Sequence, residues 1–352
     1  MSAPDISFLP VLKEWAAERG VASFGALDLE RLSRSGFSSM AMERLKPSAD
    51  ALGFDSDSLA TRSAPWKLFP WAKTVVVAAI PFSALPRPER FPPPPENPDT
   101  PSGKVAGYAV RSDYHRRGRE TMENLGVRLA AAAGSRGARF EATVDSAAVA
   151  ERALALAAGI GRTGNNSLTL VDGVGAGCFF AELFAETAFP SADTADLSGL
   201  SASSADAASG KGGAERSACP YGAVSADGGV DAPRCVSYLT TMRRGWLERS
   251  ERRLIGDWLF GCDRCSAAAP GTSLPEAVEV DLEWLLKSPS SEVKTAIADT
   301  PMEHAGVTML RRNALAVLEN RGGRAALELA ADFARSTGSE FLKKLAEDIL
   351  QG

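Results

Sequence analysis

The first half of the chain alternates between short apolar runs and amphipathic stretches. The apolar runs predict strands over 21–27, 73–80, 139–144, 168–171 and 178–183, and helical spacing predicts helices over 5–20, 113–137 and 147–159. The run KTVVVAAI at 73–80 is continuous and rich in β-branched residues, which is typical of a buried central strand. Strands and helices that alternate in this way predict an α/β layer.

The second half of the chain has a different pattern. Residues 198–217 are rich in serine, alanine and glycine without periodicity, which predicts a loop or linker. Amphipathic helices are predicted at 307–318, 325–335 and 340–350, and they suit a small helical-repeat (HEAT-like) tail. The chain is thus predicted to have an α/β (α+β) domain over 1–195, a cysteine-bearing segment over 196–285 and a helical tail over 286–352.

Composition places the chain among ordinary globular proteins, with 45% apolar and 24% charged residues in 352. The net charge of −5 does not favour a polyanionic partner, so nucleic-acid contact needs a local basic patch. The basic runs at 111–119 and 243–253 are either such patches or solvated helix faces. No signal peptide is evident, and the apolar run at 75–81 is too short to span a bilayer. We therefore expect a cytoplasmic protein without membrane contact.

Four of the five cysteines lie in the second half with the spacing C-x15-C-x26-C-x2-C: Cys219, Cys235, Cys262 and Cys265. In a reducing compartment, metal binding or burial is a better default than disulfides. Thiolates suit iron–sulfur clusters and zinc, but zinc usually takes two close pairs or a pair with histidines. The spacing favours a cluster and leaves zinc or unliganded thiols as alternatives. Cys178, in GCFFAELF, is most simply a buried core residue.

Several segments together resemble a known family. The runs DAPRCVSYLTTMRRGWL (231–247) and IGDWLFGCDRC (255–265) resemble the iron–sulfur half of epoxyqueuosine reductases, which are cobalamin-dependent enzymes of tRNA queuosine synthesis related to reductive dehalogenases. Similar matches occur at GKVAGYAVRSDYH (103–115), VDSAAVAERALALAAGIGRTGNNSL (144–168) and TMLRRNALAVLEN (308–320). The resemblance implies a corrinoid-binding-type domain, a ferredoxin-like iron–sulfur segment and a helical tail.

The family holds two [4Fe–4S] clusters with eight cysteines, and this chain departs from that pattern. The resemblance puts three missing cysteines at Ser209, Gly212 and Glu215, and a fourth at Ala269. In two-cluster ferredoxin-like segments the cysteine before proline ligates the other cluster, so all four losses belong to one cluster. The four retained cysteines form the complete set for the second cluster, which predicts a single [4Fe–4S] cluster.

The resemblance also implies site residues. Asp145 matches the acid that is thought to protonate the substrate, which needs a raised pKa, although it also suits a helix N-cap. Arg152 matches a pocket arginine or is simply exposed on a helix. Tyr108, Asp113, Tyr114 and His115 match a corrinoid or substrate pocket, although a lone histidine is more often structural. Gly161, Gly164 and Asn166 match a turn that approaches the cofactor, in which Asn165 replaces the usual lysine.

These features predict an epoxyqueuosine reductase-like oxidoreductase that uses one [4Fe–4S] cluster and cobalamin to reduce an epoxide on a modified tRNA base or a related small group. Its partners would be a tRNA anticodon stem-loop and an electron donor such as flavodoxin or ferredoxin. Two alternatives stay open. One is a non-catalytic iron–sulfur electron carrier or accessory protein without cobalamin chemistry, and the other is a zinc protein with a structural four-thiolate site.

Overall fold

The computed structural model describes residues 7–135, 137–145, 147–197, 213–226 and 228–351. Its strands are β1 Ser23–Asp28, β2 Thr74–Pro81, β3 Ser102–Val105, β4 Phe140–Thr143, β5 Arg162–Thr163, β6 Thr169–Leu170, β7 Cys178–Ala185, β8 Trp258–Phe260 and β9 Val278–Asp281. The helices of the first half are α1 Leu9–Arg19, α2 Leu29–Ser33, α3 Phe37–Leu52, α4 Ser56–Arg62, α5 Pro65–Leu68, α6 Tyr114–Ala132 and α7 Glu151–Ala157. Those of the second half are α8 Ala214–Ser217, α9 Val236–Thr241, α10 Arg249–Ile255, α11 Arg264–Ala267, α12 Leu282–Lys287, α13 Ser290–Ile297, α14 Gly306–Arg321, α15 Gly323–Ser336 and α16 Glu340–Gln351.

The main sheet has the order β1-β2-β7-β4, and all neighbouring strands are antiparallel. The mixture of helices and strands predicted from the sequence is confirmed, and the antiparallel pairing places the domain in the α+β class. All eight residues of β2 are buried. Val75 and Val77 pack into the core on one face of the sheet, and Val76 and Ala78 pack into the core on the other. Because both faces are covered, this antiparallel strand reads as a continuous apolar run.

Two smaller sheets lie outside the main one. Strands β5 and β6 form a two-stranded hairpin, so the predicted strand at 168–171 exists but lies outside the main sheet. Strand β3 pairs in parallel with β8 and antiparallel with β9, and the sequence pattern did not predict this sheet. Its strands are three or four residues long, too short to show a period.

The helices α14, α15 and α16 lie where the apolar spacing predicts them. They share one core with β8, α9, α10 and residues of 105–110, so the tail is packed against the cysteine-bearing segment. The helical-repeat interpretation stays a prediction. No helix in the described parts of the chain is both long and apolar enough to cross a membrane.

A buried polar pair on α14 forms hydrogen bonds with the segment that carries the cysteines. Arg312 and Asn313 are at most 1% exposed. Asn313 Nδ2 donates to the carbonyl oxygens of Thr240 and Leu259, both at 2.9 Å. Its Oδ1 accepts from Arg312 Nη2 at 2.7 Å, and the same Nη2 donates to Leu239 O at 2.8 Å. These bonds hold together the end of α9 and strand β8, which flank two of the cysteines.

Replacing Asn313 by alanine should therefore destabilise the protein by about 2–4 kcal/mol, because it strands two buried carbonyl groups and one guanidinium donor. Chemical denaturation of both proteins measures the difference. Asn97→Ala, at an exposed position, serves as the control and should change the stability by less than about 0.5 kcal/mol. An Asn313→Ala protein as stable as the control would show that the pair contributes no net stability.

Candidate functional site

Asp145 lies on the loop between β4 and α7, in the left-handed backbone region with φ of 50°. Aspartate tolerates this region better than most residues. The backbone N–H of Asp145 donates to the carboxylate of Glu151, the first residue of α7. That helix begins after Ala150 and has no side-chain cap. Asp145 is therefore not a helix N-cap, and that alternative is wrong.

The Asp145 carboxylate is 58% exposed and is contacted by two residues at the start of α6. Tyr114 Oη donates to Asp145 Oδ2 at 2.7 Å, and His115 Nε2 lies 3.7 Å from the same oxygen. The rings of Tyr114 and His115 stack with centroids 4.0 Å apart. The sequence placed these three residues in one site, and the structure brings them together.

Asp113 and His304 extend this cluster. Asp113 caps α6 by accepting from the backbone N–H of His115. Its Oδ1 lies 2.8 Å from His115 Nδ1, and its Oδ2 lies 3.1 Å from His304 Nε2. His304 ends the short 3-10 helix Pro301–His304 just before α14. No local motif could identify His304, because 191 positions separate it from Asp113.

The charges of this cluster follow from its hydrogen bonds. Partial burial raises the pKa of Asp145, but the nearby His115 ring and the hydrogen bond from Tyr114 outweigh it and leave the pKa below its ordinary value. The raised pKa that the sequence led us to expect is therefore wrong. Burial lowers the pKa of His115, but Asp113 and Asp145 outweigh it and raise that pKa to about 9. Burial opposes ionisation of Asp113, yet both histidines hold its pKa at about 2.

Two carboxyl groups that the sequence analysis did not identify, one buried and one half-buried, lie near Asp145. Glu182, on β7, is fully buried, and its Oε2 accepts from Thr143 Oγ1 at 2.8 Å. Its Oε1 has no hydrogen-bond partner among the described atoms. Burial, together with the charge of Asp145, raises the pKa of Glu182 to about 8. Burial and the neighbouring Glu182 also raise the pKa of Glu151 well above its usual range. A glutamate within an otherwise apolar strand was the available signal for Glu182.

The titration of Glu182 gives a pH-dependent prediction. Between its unfolded pKa near 4.5 and its folded pKa of about 8, the folded state binds the extra proton, so this group makes stability fall as pH rises. The stability of Glu182→Gln relative to the natural protein should therefore increase between pH 5 and 8, by up to about 1.4 kcal/mol per pH unit. Thermal unfolding at several pH values measures it, with exposed Glu186→Gln as the control. Parallel curves for all three proteins would show that Glu182 is ionised in the folded state.

Aromatic rings form one wall beside Tyr114. The ring of Tyr108 contacts those of Phe82, Tyr114 and Phe260, with centroids 5.5 to 6.4 Å apart, and Tyr114 contacts Phe179 at 5.2 Å. Tyr108 thus contributes to the same site as Asp145 through ring packing.

The turn after α7 connects the acid site to the cysteines. Arg152 is exposed, and its Nη1 donates to the carbonyl oxygen of Ser167 at 3.3 Å. Asn166 is 2% exposed, and its side chain interacts with the thiol of Cys265. Asn166 Nδ2 has no partner of hydrogen-bond geometry among the described atoms. A buried, unpaired donor beside a thiol suits a bound cluster, whose sulfur atoms accept hydrogen bonds.

The glycines of this turn serve internal packing. A Cβ on Gly161 would lie 2.4 Å from the carbonyl oxygen of Leu170, and one on Gly164 would lie 3.2 Å from Asn166 Oδ1. The close approach is therefore to the protein's own chain. The cofactor role predicted for Gly161 and Gly164 stays a prediction.

The four late cysteines converge from separate elements. Cys219 follows α8, Cys235 precedes α9, and Cys262 and Cys265 lie before and within α11. Cys235 is close enough to the other three thiols for their charges to interact, and the same holds for Cys265 and Cys219. No three of these described thiols lie within 4.8 Å of one another. A tetrahedral zinc site, with Zn–S near 2.3 Å, needs sulfur atoms about 3.8 Å apart. The wider arrangement favours a cluster over zinc.

Two of the positions where the family resemblance places missing cysteines are described, and two are not. Ala269 is 4% exposed and packs against Leu168, Leu170 and Ala176. Glu215 is 1% exposed and accepts from Asn165 Nδ2 at 3.2 Å. Asn165 and Glu215, two positions at which the family resemblance implies a substitution, are therefore in contact. Ser209 and Gly212 lie outside the described residues.

A groove of about 1050 Å³ follows the edge of β4 beside α6. Thr143, Ala147 and Ala148 line it, so it passes next to the Asp145 loop. Its lining includes none of the residues that the sequence assigns to cofactor binding.

Comparisons with known proteins match two parts of the chain to family models. Residues 62–146 match "Epoxyqueuosine reductase QueG, DUF1730", and residues 216–271 match "4Fe-4S double cluster binding domain". The cysteine-bearing segment is therefore of an iron–sulfur-binding type. The second match begins at residue 216, after the three positions at 209, 212 and 215.

Curated relatives named epoxyqueuosine reductase include proteins of Vibrio cholerae and Pseudomonas aeruginosa. The first is 31% identical over 74% of this chain and 65% of its own length. The second is 32% identical over 77% of this chain and 70% of its own length. The chain therefore matches about two thirds of these two relatives.

Solved structures of the same name share the fold. The Streptococcus thermophilus protein has a TM-score of 0.78 at 21% identity, over 97% of this chain and 89% of its own. A structure with an epoxyqueuosine-modified tRNA stem loop has a TM-score of 0.75 at 23% identity, over 97% of this chain and 89% of its own. A Bacillus subtilis structure, with its catalytic aspartate loop swung out of the active site, has a TM-score of 0.70 at 22% identity, over 98% of both chains.

Proposed function

The chain belongs to the epoxyqueuosine reductase family, and we propose that it removes the epoxide oxygen of epoxyqueuosine in a tRNA anticodon loop. Conversion of an epoxide to an alkene takes up two electrons and two protons and releases the oxygen as water. The observation that supports the proposal is a series of contacts that joins the cysteine segment to Asp145. The turn at 164–168 contacts Cys265 through Asn166 and, through Ser167 and Arg152, reaches the helix whose first residue holds Asp145.

We propose that Cys219, Cys235, Cys262 and Cys265 hold one [4Fe–4S] cluster. The donor set suits it, since four thiols converge without the close spacing of zinc. The buried, unpaired Nδ2 of Asn166 lies beside Cys265, where it is placed to donate to a sulfur atom of a bound cluster. Such a cluster passes electrons one at a time from an external donor such as flavodoxin or ferredoxin.

Cobalamin is proposed from the family resemblance. When bound, its cobalt supplies the low-valent metal centre that delivers electrons to the substrate carbon. Tyr108 and Tyr114, whose rings meet edge to face, are candidates for lining its pocket. The remaining candidates for holding it are Asp113, His115, Arg152, Gly161, Gly164 and Asn166. The protein's own residues position the substrate oxygen and transfer protons to it.

Asp145 is proposed as the group that meets the epoxide oxygen. Its carboxylate is 58% exposed, while Tyr114 donates a hydrogen bond to it and His115 Nε2 lies 3.7 Å from it. The catalytic aspartate loop of the Bacillus subtilis structure supports a loop-borne acid in the family. In this chain, Glu151 holds the backbone of the corresponding loop.

The tRNA partner is proposed from the relative solved with a tRNA stem loop. The two basic runs support it less than the sequence implied. In the run at 243–253, Arg252 is 2% exposed and pairs with Glu319 and Asp348, while Arg244 donates to the carbonyl oxygens of His304 and Ala305. Much of that run therefore stabilises the fold.

Anaerobic purification followed by metal analysis, cobalamin titration and turnover of epoxyqueuosine-containing tRNA tests the proposal. We expect about four iron atoms per chain, a corrinoid absorption change on titration, and loss of the epoxide from the tRNA. Stoichiometric zinc would contradict the cluster. Full cluster loading without cobalamin binding or turnover would favour the accessory-protein alternative.

A further inference from the structure

The imidazole of His115 lies between two carboxylates. Nδ1 faces Asp113 Oδ1 at 2.8 Å, and Nε2 faces Asp145 Oδ2 at 3.7 Å. Carboxylate oxygens of ionised aspartates only accept hydrogen bonds. A neutral imidazole has one N–H and would place a lone pair against one of the two anions, whereas an imidazolium offers a donor to each.

Asp113 is itself held on its other side. Its Oδ2 contacts His304 Nε2 at 3.1 Å, and the rings of the two histidines meet edge to face with centroids 4.7 Å apart. His304 comes from the segment that precedes the tail helices, so the tail fixes the carboxylate that orients His115. Asp113 is 9% exposed, which limits competition from water.

The other charged groups around His115 leave this arrangement intact. They are Tyr114 on the same helix as His115, Glu151 and Arg152 at the start of α7, and Asp299 before the 3-10 helix. Asp299 pairs with Arg116 and Arg117. Asp299 is thus neutralised by its own arginines. The charge of Arg152 lowers the pKa of Asp145. Tyr114 donates a hydrogen bond to the Asp145 carboxylate and takes no proton from His115.

We propose that His115 is the proton store of the resting site, held as an imidazolium between Asp113 and Asp145, and that His304 is the positioning residue that fixes Asp113. This deepens the proposed function. During reduction the Nε2–H bond of His115 breaks, and its proton passes through Asp145 to the epoxide oxygen as the first C–O bond breaks. A second proton follows the same route when the second C–O bond breaks and the oxygen leaves as water. The two electrons come from the external one-electron donor, and solvent returns each proton to His115.

The chain has only two histidines, so NMR of protein labelled with 15N in histidine gives two ring systems to follow. His304→Gln assigns them. We expect the ring nitrogens of His115 to be those of an imidazolium at pH 7 and to titrate near pH 9. The measurement needs neither tRNA nor cobalamin, so its failure is distinguishable from failure of the proposed function.

Variants test each contact. Asp113→Asn should lower the titration midpoint of His115 by about 1–2 pH units. Asp281→Asn is the matched control, because Asp281 caps α12 and is also 9% exposed. His304→Ala should speed solvent exchange of the His115 Nδ1–H at least tenfold, and His304→Gln, which can still donate to Asp113, should restore slow exchange.

A neutral His115 at pH 7 would overturn the proton store. An equal shift in Asp113→Asn and Asp281→Asn would do the same, and circular dichroism of each variant verifies that it is folded. Equal exchange rates in His304→Ala, His304→Gln and the natural protein would overturn the positioning role of His304.

Discussion

Replacing Asp145 by asparagine should lower the turnover of epoxyqueuosine-containing tRNA by about 10²–10⁴-fold, the usual contribution of a positioned acid–base group. Asparagine keeps the shape and can still accept from Tyr114, but it has no charge to stabilise His115 and no site for a transferred proton. Single-turnover rates of anaerobic protein measure the effect.

The exposed Asp172→Asn is the control for this substitution, and its rate should be unchanged. Iron content and cobalamin affinity should remain the same in both variants, which separates chemistry from cofactor loading. A rate for Asp145→Asn within threefold of the natural protein would assign the proton transfer to another group.

Replacing Cys262 by serine should reduce the iron content from about four atoms per chain to less than one, because a [4Fe–4S] cluster needs four thiolates. Absorption near the charge-transfer bands of the cluster should disappear with the iron. The protein contains a natural control in Cys178, the cysteine at the start of β7. Cys178 is partly buried and packs against the core on one face of the main sheet, as expected of a cysteine that packs instead of binding metal.

Cys178→Ser should therefore retain its iron. Equal loss of iron in both variants would point to a general folding defect. About eight iron atoms in the natural protein would contradict the single cluster, since the described chain supplies four cysteines beyond Cys178.

The sequence predicted the features that depend on local pattern. The run at 73–80 is the central strand because every position is apolar, and the tail helices follow the spacing of their apolar faces. The pairing direction of β2 and β7 was beyond such reasoning. A strand buried on both faces has the same pattern in parallel and antiparallel sheets.

In the candidate site, too, local motifs were predicted from the sequence, whereas contacts between distant segments were not. Asp145, Tyr114 and His115 were identified through motifs that are local in the chain. The predicted sign of the Asp145 pKa shift was wrong, because the shift depends on His115 and Tyr114 of α6, a separate segment of the chain. His304 and Glu182 were missed for a related reason. Their significance arises only when segments distant along the chain are brought into contact.

The contact between His304 and Asp113 has a consequence for how this protein can be divided. A version ending at residue 285, the predicted boundary of the tail, would lack His304 and the Asn313 bonds beside the cysteines. On the proposed mechanism the last fifth of the polypeptide therefore supports the reaction centre, and shortening it from that end should impair proton transfer and metal retention together.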